Sequence, residues 1–264
     1  MVVASHNLMN GYRLNTGHYR ELRDRVGLDL LCLQENRPGP KGWPCIRIAD
    51  ELGPGYQYLG MDADSGLSVV YNHTTLRCIE SEQLLLPRLE RLNWLERRFI
   101  ASGRPDPRWV QLIRFETVHP DGRGPIAVAN FHLETAGTPD HRRGQARHIA
   151  DLLRAREHTC RIVACGDTNA FAMPWKLQIA ALDRVLAPLV ELGLRDVDTR
   201  PTHFFGRQDE PLLTHQILCW LGRRGIDLPH RYDVVCSDLP VETHGQVTTP
   251  ESDHDLVWAS LRTS

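Results

Sequence analysis

Read for hydrophobic and polar positions, the chain breaks into short apolar runs bounded by turn residues, with a few stretches of helical period between them. Residues 2–6 predict a first strand ending at Asn7, and residues 28–35 a second, whose apolar run stops at Gln34 and Glu35. Between them, residues 17–26 carry Tyr19, Leu22 and Val26 on one face, which predicts a helix. A shorter helix is expected over 44–52, stopped by Gly53-Pro54-Gly55. Residues 56–60, 67–72 and 76–80 predict strands joined by short turns. Across 84–110, Leu89, Leu92, Leu95 and Phe99 recur at helical spacing among Arg88, Arg91, Arg97 and Arg98; an amphipathic helix with a solvated basic face is expected there. Strands are predicted over 109–117 and 126–133, followed by an Arg- and His-rich helix with Ile149, Leu152 and Leu153 as its apolar stripe. The run 162–165 is apolar at every position, the pattern of a strand covered on both faces. Further helices are expected over 175–192 and 211–222, and strands over 234–237 and 256–261. The order strand, helix, strand predicts a sheet with a covering helix.

Composition narrows the class without choosing a function. The chain has 264 residues, 41% hydrophobic and 24% charged, ordinary for a globular protein, and one domain over 1–264 is the simplest division, with inserts near 84–110 and 205–228. A formal net charge of -2 supplies no global pull toward nucleic acid or an anionic membrane, though a local basic groove is compatible with it. No apolar run approaches the length of a membrane span, and the N-terminal MVVASHN lacks a basic-then-apolar leader, so a cytoplasmic protein is expected. Seven cysteines without a C-x-x-C pair fit reduced thiols, several of them in apolar runs (Cys32, Cys165, Cys236).

The chemistry gathers at the ends of the predicted strands. After the run 162–165, Gly166 would let the backbone turn, and Asp167 and Asn169 follow two residues apart. In extended backbone that spacing puts both side chains on one face, where a carboxylate takes a proton from a water that the carboxamide orients. The plainer reading is a loop whose Asp and Asn bond their own backbone. Asn7, Glu35, His132, Asp233, Asp253 and His254 occupy similar positions, so six separate places in the chain bring polar groups to strand ends. Each has an ordinary explanation: His132 as a satisfied core histidine, Asp253 as a turn cap, Asp233 as the partner of Arg231. Jointly they fit a phosphate site better. A hard divalent cation needs one or two carboxylates, which Glu35 with Asn7 nearby meets. His254, His132 and Asn7 can donate to phosphoryl oxygens, and Asp233 is the candidate carboxylate that keeps His254 protonated.

The series HN at 6–7, LQE at 33–35, HLE at 132–134, GDTN at 166–169, RYD at 231–233 and SDH at 252–254 resembles the endonuclease/exonuclease/phosphatase superfamily over nearly the whole chain. The wording of HLE and GDTN, with R-x-x-Q from Arg142 to Gln145, is most similar to the branch containing 5′-tyrosyl-DNA phosphodiesterases. The resemblance implies an α/β fold, a two-sheet αββα sandwich with its active site at one end. It implies that Glu35 binds Mg²⁺ or Mn²⁺ with Asn7 close by, and that Asp253 touches a metal or holds its loop. By the same resemblance Asp167 aligns or deprotonates the attacking water, Asn169 holds it, and His254, oriented by Asp233, stabilises the pentavalent state with His132 as a further phosphate contact. Family members commonly carry Trp or Tyr where this chain has His6, and the two inserts match nothing alignable.

The function expected is therefore a metal-dependent phosphoesterase using in-line attack by water. Its partner is a phosphate-ester substrate: a nucleic-acid phosphodiester, a nucleotide, or a phosphorylated small molecule or lipid headgroup. Arg142 and Arg143 are the candidate substrate-binding cations. A phosphate-binding module that kept the fold and lost catalysis is the alternative from another class. A calcineurin-type metallophosphatase would need an early D-x-H and a G-N-H-[DE], and a serine hydrolase a G-x-S-x-G; neither set is present. Oligomeric state leaves no mark in the sequence.

Overall fold

A computed structural model describes residues 1–9, 17–36, 48–60, 65–92, 94, 107–118, 124–172, 175–204, 220, 224, 229–249 and 252–263. Among these, two mixed six-stranded sheets form the centre of the molecule. The first takes β1 (Val2–Asn7), β2 (Leu30–Gln34), β3 (Tyr56–Gly60), β4 (Ser68–Asn72), β13 (Val241–Val247) and β14 (Leu256–Leu261) in the order β13-β14-β1-β2-β4-β3. The second takes β5 (Leu76–Leu85), β6 (Trp109–Thr117), β7 (Ile126–His132), β8 (Arg161–Asp167), β9 (Arg195–Asp196) and β12 (Asp233–Ser237) in the order β5-β6-β7-β8-β12-β9. A separate ribbon pairs β10 (His203–Phe204) with β11 (Pro229–His230).

Side-chain parity explains why both sheets are covered on both faces. In β8, Ile162 and Ala164 join one apolar cluster with the helices α3 (Pro139–Arg154) and α4 (Trp175–Glu191). Val163 and Cys165 point the other way, into a cluster that also takes Val3, Leu30, Cys32 and Val257 from the first sheet. Val2, Ala4, Leu31 and Leu33 turn outward onto α1 (Gly17–Val26) and α2 (Ile48–Leu52), packing with Tyr19, Leu22, Ile48 and Leu52. The layers therefore run helix, sheet, sheet, helix, the αββα sandwich that was expected. No helix among the described residues is long and apolar enough to cross a membrane.

The same parity positions the polar residues. Asn7 shares the inter-sheet face with Val3 and Ser5, His132 with Val128 and Asn130, Asp167 with Val163 and Cys165, and Asp233 with Val235. β1 runs parallel to β2, and β7 parallel to β8, so Asn7 pairs with Gln34 and His132 with Asp167 at the C-terminal ends of their strands. β12 enters antiparallel and sets Asp233 directly opposite Asp167. Beneath them the sheets are keyed by amides: Asn130 accepts from Gln34 at 2.8 Å and donates to the carbonyls of Leu33 and Ser68 at 3.1 and 3.0 Å.

The helix predicted over 84–110 does not begin at 84: among the described residues of that span only Trp94 is helical. Leu84 and Leu85 extend β5, pairing with Val110 and Trp109 of β6, and residues 86–92 lack regular structure. Pro87 cannot donate to the ladder, so the strand stops before it; Arg88, Leu89, Arg91 and Leu92 follow without regular structure, and Leu95, Arg97, Arg98 and Phe99 lie outside the described residues. The helix expected over 211–222 lies outside them too, apart from Trp220, which carries Arg224 over its ring at 3.9 Å. Gly166 does not turn the chain: it lies inside β8, and a Cβ there would sit 2.1 Å from the Phe131 carbonyl oxygen. Its role is close approach between two parallel strands.

Candidate active site

At the mouth of the sandwich, Asn7 links two carboxylates. Its Nδ2 donates to Asp167 Oδ2 at 2.8 Å and lies 3.4 Å from Glu35 Oε1. The amide is itself fixed, because its Oδ1 accepts from the Met9 N–H at 2.9 Å. Glu35 follows β2 in left-handed backbone, φ 54°, a conformation that costs energy for a residue with a Cβ and is rare for glutamate. It turns the carboxylate back over the strand end, where a quarter of the side chain (24%) meets solvent.

Asn169 also adopts positive φ, 46°, so Asp167 and Asn169 are not aligned by extended backbone. The Asn169 N–H donates to Asp167 Oδ1 at 2.8 Å, and its Nδ2 donates to the Leu133 carbonyl at 3.0 Å. The Asx contact and the shared site therefore coexist: one oxygen of Asp167 holds the loop and the other faces the cleft.

His254 completes the centre. Its Nδ1 is 2.7 Å from Asp233 Oδ2, and its Nε2 lies 3.9 Å from Asp167 Oδ2 and 3.7 Å from Asp253 Oδ1. Burial alone would depress the imidazole, but Asp233 and Asp253 overcome it and raise the pKa well above the ordinary histidine value. Burial pushes the carboxyls of Asp167 and Glu35 upward, and the His254 cation partly counters both shifts. Arg231 takes no part: it is buried and pairs with Asp196 at 2.8 Å, which leaves Asp233 to His254.

His132 stands on the opposite flank, its Nε2 3.7 Å from Asp167 Oδ2 and 3.8 Å from Glu35 Oε1. Two further groups were not legible in the sequence. Arg108, at the entrance to β6, lays Nη1 3.4 Å from His132 Nδ1. His203, on the β10 ribbon, sets Nε2 3.0 Å from Asp253 Oδ2, and its ring meets that of His254 edge-on at 4.7 Å. Their only sequence signal is polarity beside a strand: Arg108 precedes the strand predicted over 109–117, and His203 lies on a two-residue ribbon too short to stand out.

Arg142 and Arg143, expected to bind substrate, do not face the cleft. Arg142 is buried, and each of its three side-chain nitrogens donates to a backbone carbonyl within residues 134–137. Arg143 is half-buried on α3 and, like Arg147, lies near Glu191 of α4. A guanidinium on an Arg-rich helix reads as solvated, and sequence alone does not tell which one is enclosed. His6 is a satisfied core histidine: its Nδ1 is 2.6 Å from the Tyr19 hydroxyl and its Nε2 3.1 Å from Thr249 Oγ1, and burial brings its pKa to about 3.

The site suits a hard divalent cation. Glu35, Asp167 and Asp253 are close enough that the latter two each raise the Glu35 carboxyl, after burial, and a cation is the group that would offset this concentration of negative charge. Potential ligand atoms of Asp167, Asp233 and His254 fall within 4.8 Å of one another, as do those of His203, Asp253 and His254.

No model of a known protein family and no curated protein matches the sequence. Solved structures do. An endonuclease/exonuclease/phosphatase from Bacteroides vulgatus aligns with TM-score 0.65 and 16% identity, over 100% of this chain and 98% of that one. The chain has the endonuclease/exonuclease/phosphatase fold. Other structures of this fold are similar: D. rerio TDP2 complexed with a single-strand DNA product (TM-score 0.66, 14% identity, 100% and 99% covered) and a mannosyl-6-phosphatase from Bacteroides thetaiotaomicron (TM-score 0.61, 15% identity, 99% of each chain). On this fold Glu35 and His254, 219 positions apart in sequence, share one cleft, where the His254 cation offsets part of the rise that burial gives the Glu35 carboxyl.

Proposed function

We propose that this protein is a divalent-metal-dependent phosphoesterase that hydrolyses a phosphodiester or phosphomonoester of a nucleotide or nucleic acid by in-line attack of water. One observation carries the reading: a buried carboxylate, Asp167, is flanked by an imidazole locked to its own carboxylate, His254 to Asp233 at 2.7 Å, and by an amide bridge to Glu35. Asp167 accepts the proton of the attacking water. Asn7 keeps its oxygen pointed into the cleft. Protonated His254, held in one orientation by Asp233, donates from Nε2 to oxygens that gain charge as the phosphorus is attacked. His132 and Arg108 donate from the facing wall. Glu35, with Asn7 and Asp253 nearby, would hold Mg²⁺ or Mn²⁺, which polarises a phosphoryl oxygen and neutralises its charge when bound. Kinship to the 5′-tyrosyl-DNA phosphodiesterase branch draws on the similarity to TDP2, and the fold is shared with the sugar phosphatase. The net charge of -2 favours a second reading, hydrolysis of a phosphorylated small molecule, since it gives no general attraction for a polyanion.

A panel of phosphomonoesters, phosphodiesters and DNA ends, assayed with Mg²⁺ or Mn²⁺, separates these readings. Turnover should vanish with EDTA, and Asp167→Asn and His254→Ala should each lower kcat by about 1,000-fold. Undiminished turnover in chelator overturns the proposal.

A further inference from the structure

Two side chains of α3 grip both supports of Arg108. Arg142 sends Nε to the Glu134 carbonyl at 2.8 Å, Nη2 to Thr135 at 2.6 Å and Nη1 to Gly137 at 3.1 Å. Gln145, one helical turn later, accepts from the Glu134 N–H at 2.9 Å and donates to the Pro87 carbonyl at 3.0 Å. Each contact leads to Arg108. Thr135 Oγ1 accepts from Arg108 Nη2 at 2.9 Å, and the Glu134 carboxylate lies 3.7 Å from the same nitrogen. Pro87 follows Leu86, whose N–H donates to the Arg108 carbonyl at 2.8 Å. One helix thus fixes the backbone of Arg108 on one side and the acceptors of its guanidinium on the other.

Burying the Arg142 guanidinium is costly unless its donors are met, and here carbonyls of a single loop meet them. The result is a stiff loop rather than a charge offered to a ligand. We infer that Arg142 and Gln145 are positioning residues that set Arg108, and through it the His132 ring, against the reacting phosphate. The inference rests on the phosphoesterase reading for its catalytic consequence, but the placement of Arg108 is measurable without turnover.

The test is a double-mutant cycle. Arg142→Ala should lower kcat by about 100-fold, the scale of a small misplacement of a catalytic group. In an Arg108→Ala background the same change should cost less than about threefold more, because the two act in one line. Inorganic phosphate affinity, measured by calorimetry, should follow the same non-additive pattern. Added guanidinium ion should restore part of the kcat of Arg142→Ala and none of that of the double variant. Where Arg142→Ala fails to fold, Gln145→Leu substitutes in the same cycle. The guanidinium NMR signal of Arg108 should shift or broaden in either single α3 variant. Multiplicative losses in the cycle, or an unchanged Arg108 signal, overturn the inference. Absence of turnover in the wild type would instead strike the parent reading, with the NMR outcome still deciding the clamp.

Discussion

At the scale of single residues, the site is organised by charge that burial concentrates and neighbours partly relieve. His254 has its pKa pulled down by burial and then carried well above the ordinary value by Asp233 and Asp253. A raised folded value favours the protonated form: this contribution to stability is complete below the unfolded pKa, near 6.5, and fades as pH climbs through the folded value. Asp167 and Glu35 are raised by burial, so they ionise later than free carboxyls. The profile of kcat/KM against pH should therefore be a bell, its acid limb set by these carboxyls and its alkaline limb above the ordinary histidine value. Asp233→Asn removes a leading cause of the His254 shift, so its alkaline limb should move to lower pH; a limb that stays in place would assign it to another group. Much of this was legible in the sequence, because a charge at either end of an apolar run is conspicuous: Glu35 and Asp167 close one, and Asp233 opens one. Arg108 and His203 do not, since nothing in the chain announces that a residue just before β6, or one on a two-residue ribbon, will meet a histidine remote in sequence.

At the scale of elements, β7 and β8 matter most, because their parallel pairing fixes His132 beside Asp167. The pairing needs Gly166. Any side chain there meets the Phe131 carbonyl and ring, with contacts of 2.1 to 2.8 Å from the first added carbon. Backbone at that distance has no rotamer to change, so the strands must part. Gly166→Ala should lower stability by about 3 kcal/mol. It should also reduce metal affinity, because Asp167 follows directly. Urea unfolding and a Mn²⁺ titration check both; unchanged values would show that the sheet yields there without cost. A glycine after an apolar run predicts a turn, because it bends without a Cβ penalty, and strand pairing is a long-range fact that the run does not carry. The same limit sets the start of the helix expected over 84–110 too early. Leu84 and Leu85 satisfy a helical and an extended pattern alike, and the partner strand β6 decides for the strand.

At the scale of the whole molecule, the cleft exists because two sheets meet at a fixed register, and apolar packing alone does not set one. Asn130 supplies the key: its Nδ2 donates to carbonyls of β2 and β4, Leu33 and Ser68, while its Oδ1 accepts from Gln34. Gln111 Oε1 lies 3.4 Å from the same Nδ2, and Gln111 itself reaches the Leu59 carbonyl of β3 at 3.1 Å. In a buried network of this kind each polar group that loses its partner is costly. Asn130→Leu keeps the volume, removes the side-chain donor from two carbonyls and leaves the Gln34 amide only its longer bond to Ser5 Oγ at 3.3 Å, so it should cost about 3 kcal/mol, more than an average hydrogen bond returns. The functional consequence should exceed the structural one. Gln34 immediately precedes Glu35, and Asn7 pairs with Gln34 across β1 and β2, so a slip between the sheets moves Glu35 and Asn7 relative to Asp167 and His132. The variant should remain folded at low temperature, bind Mn²⁺ about tenfold more weakly, as outer-shell changes commonly do, and lose kcat more than KM. A variant that loses stability yet keeps wild-type metal affinity and kcat would show that the register is held elsewhere, by the apolar layer alone.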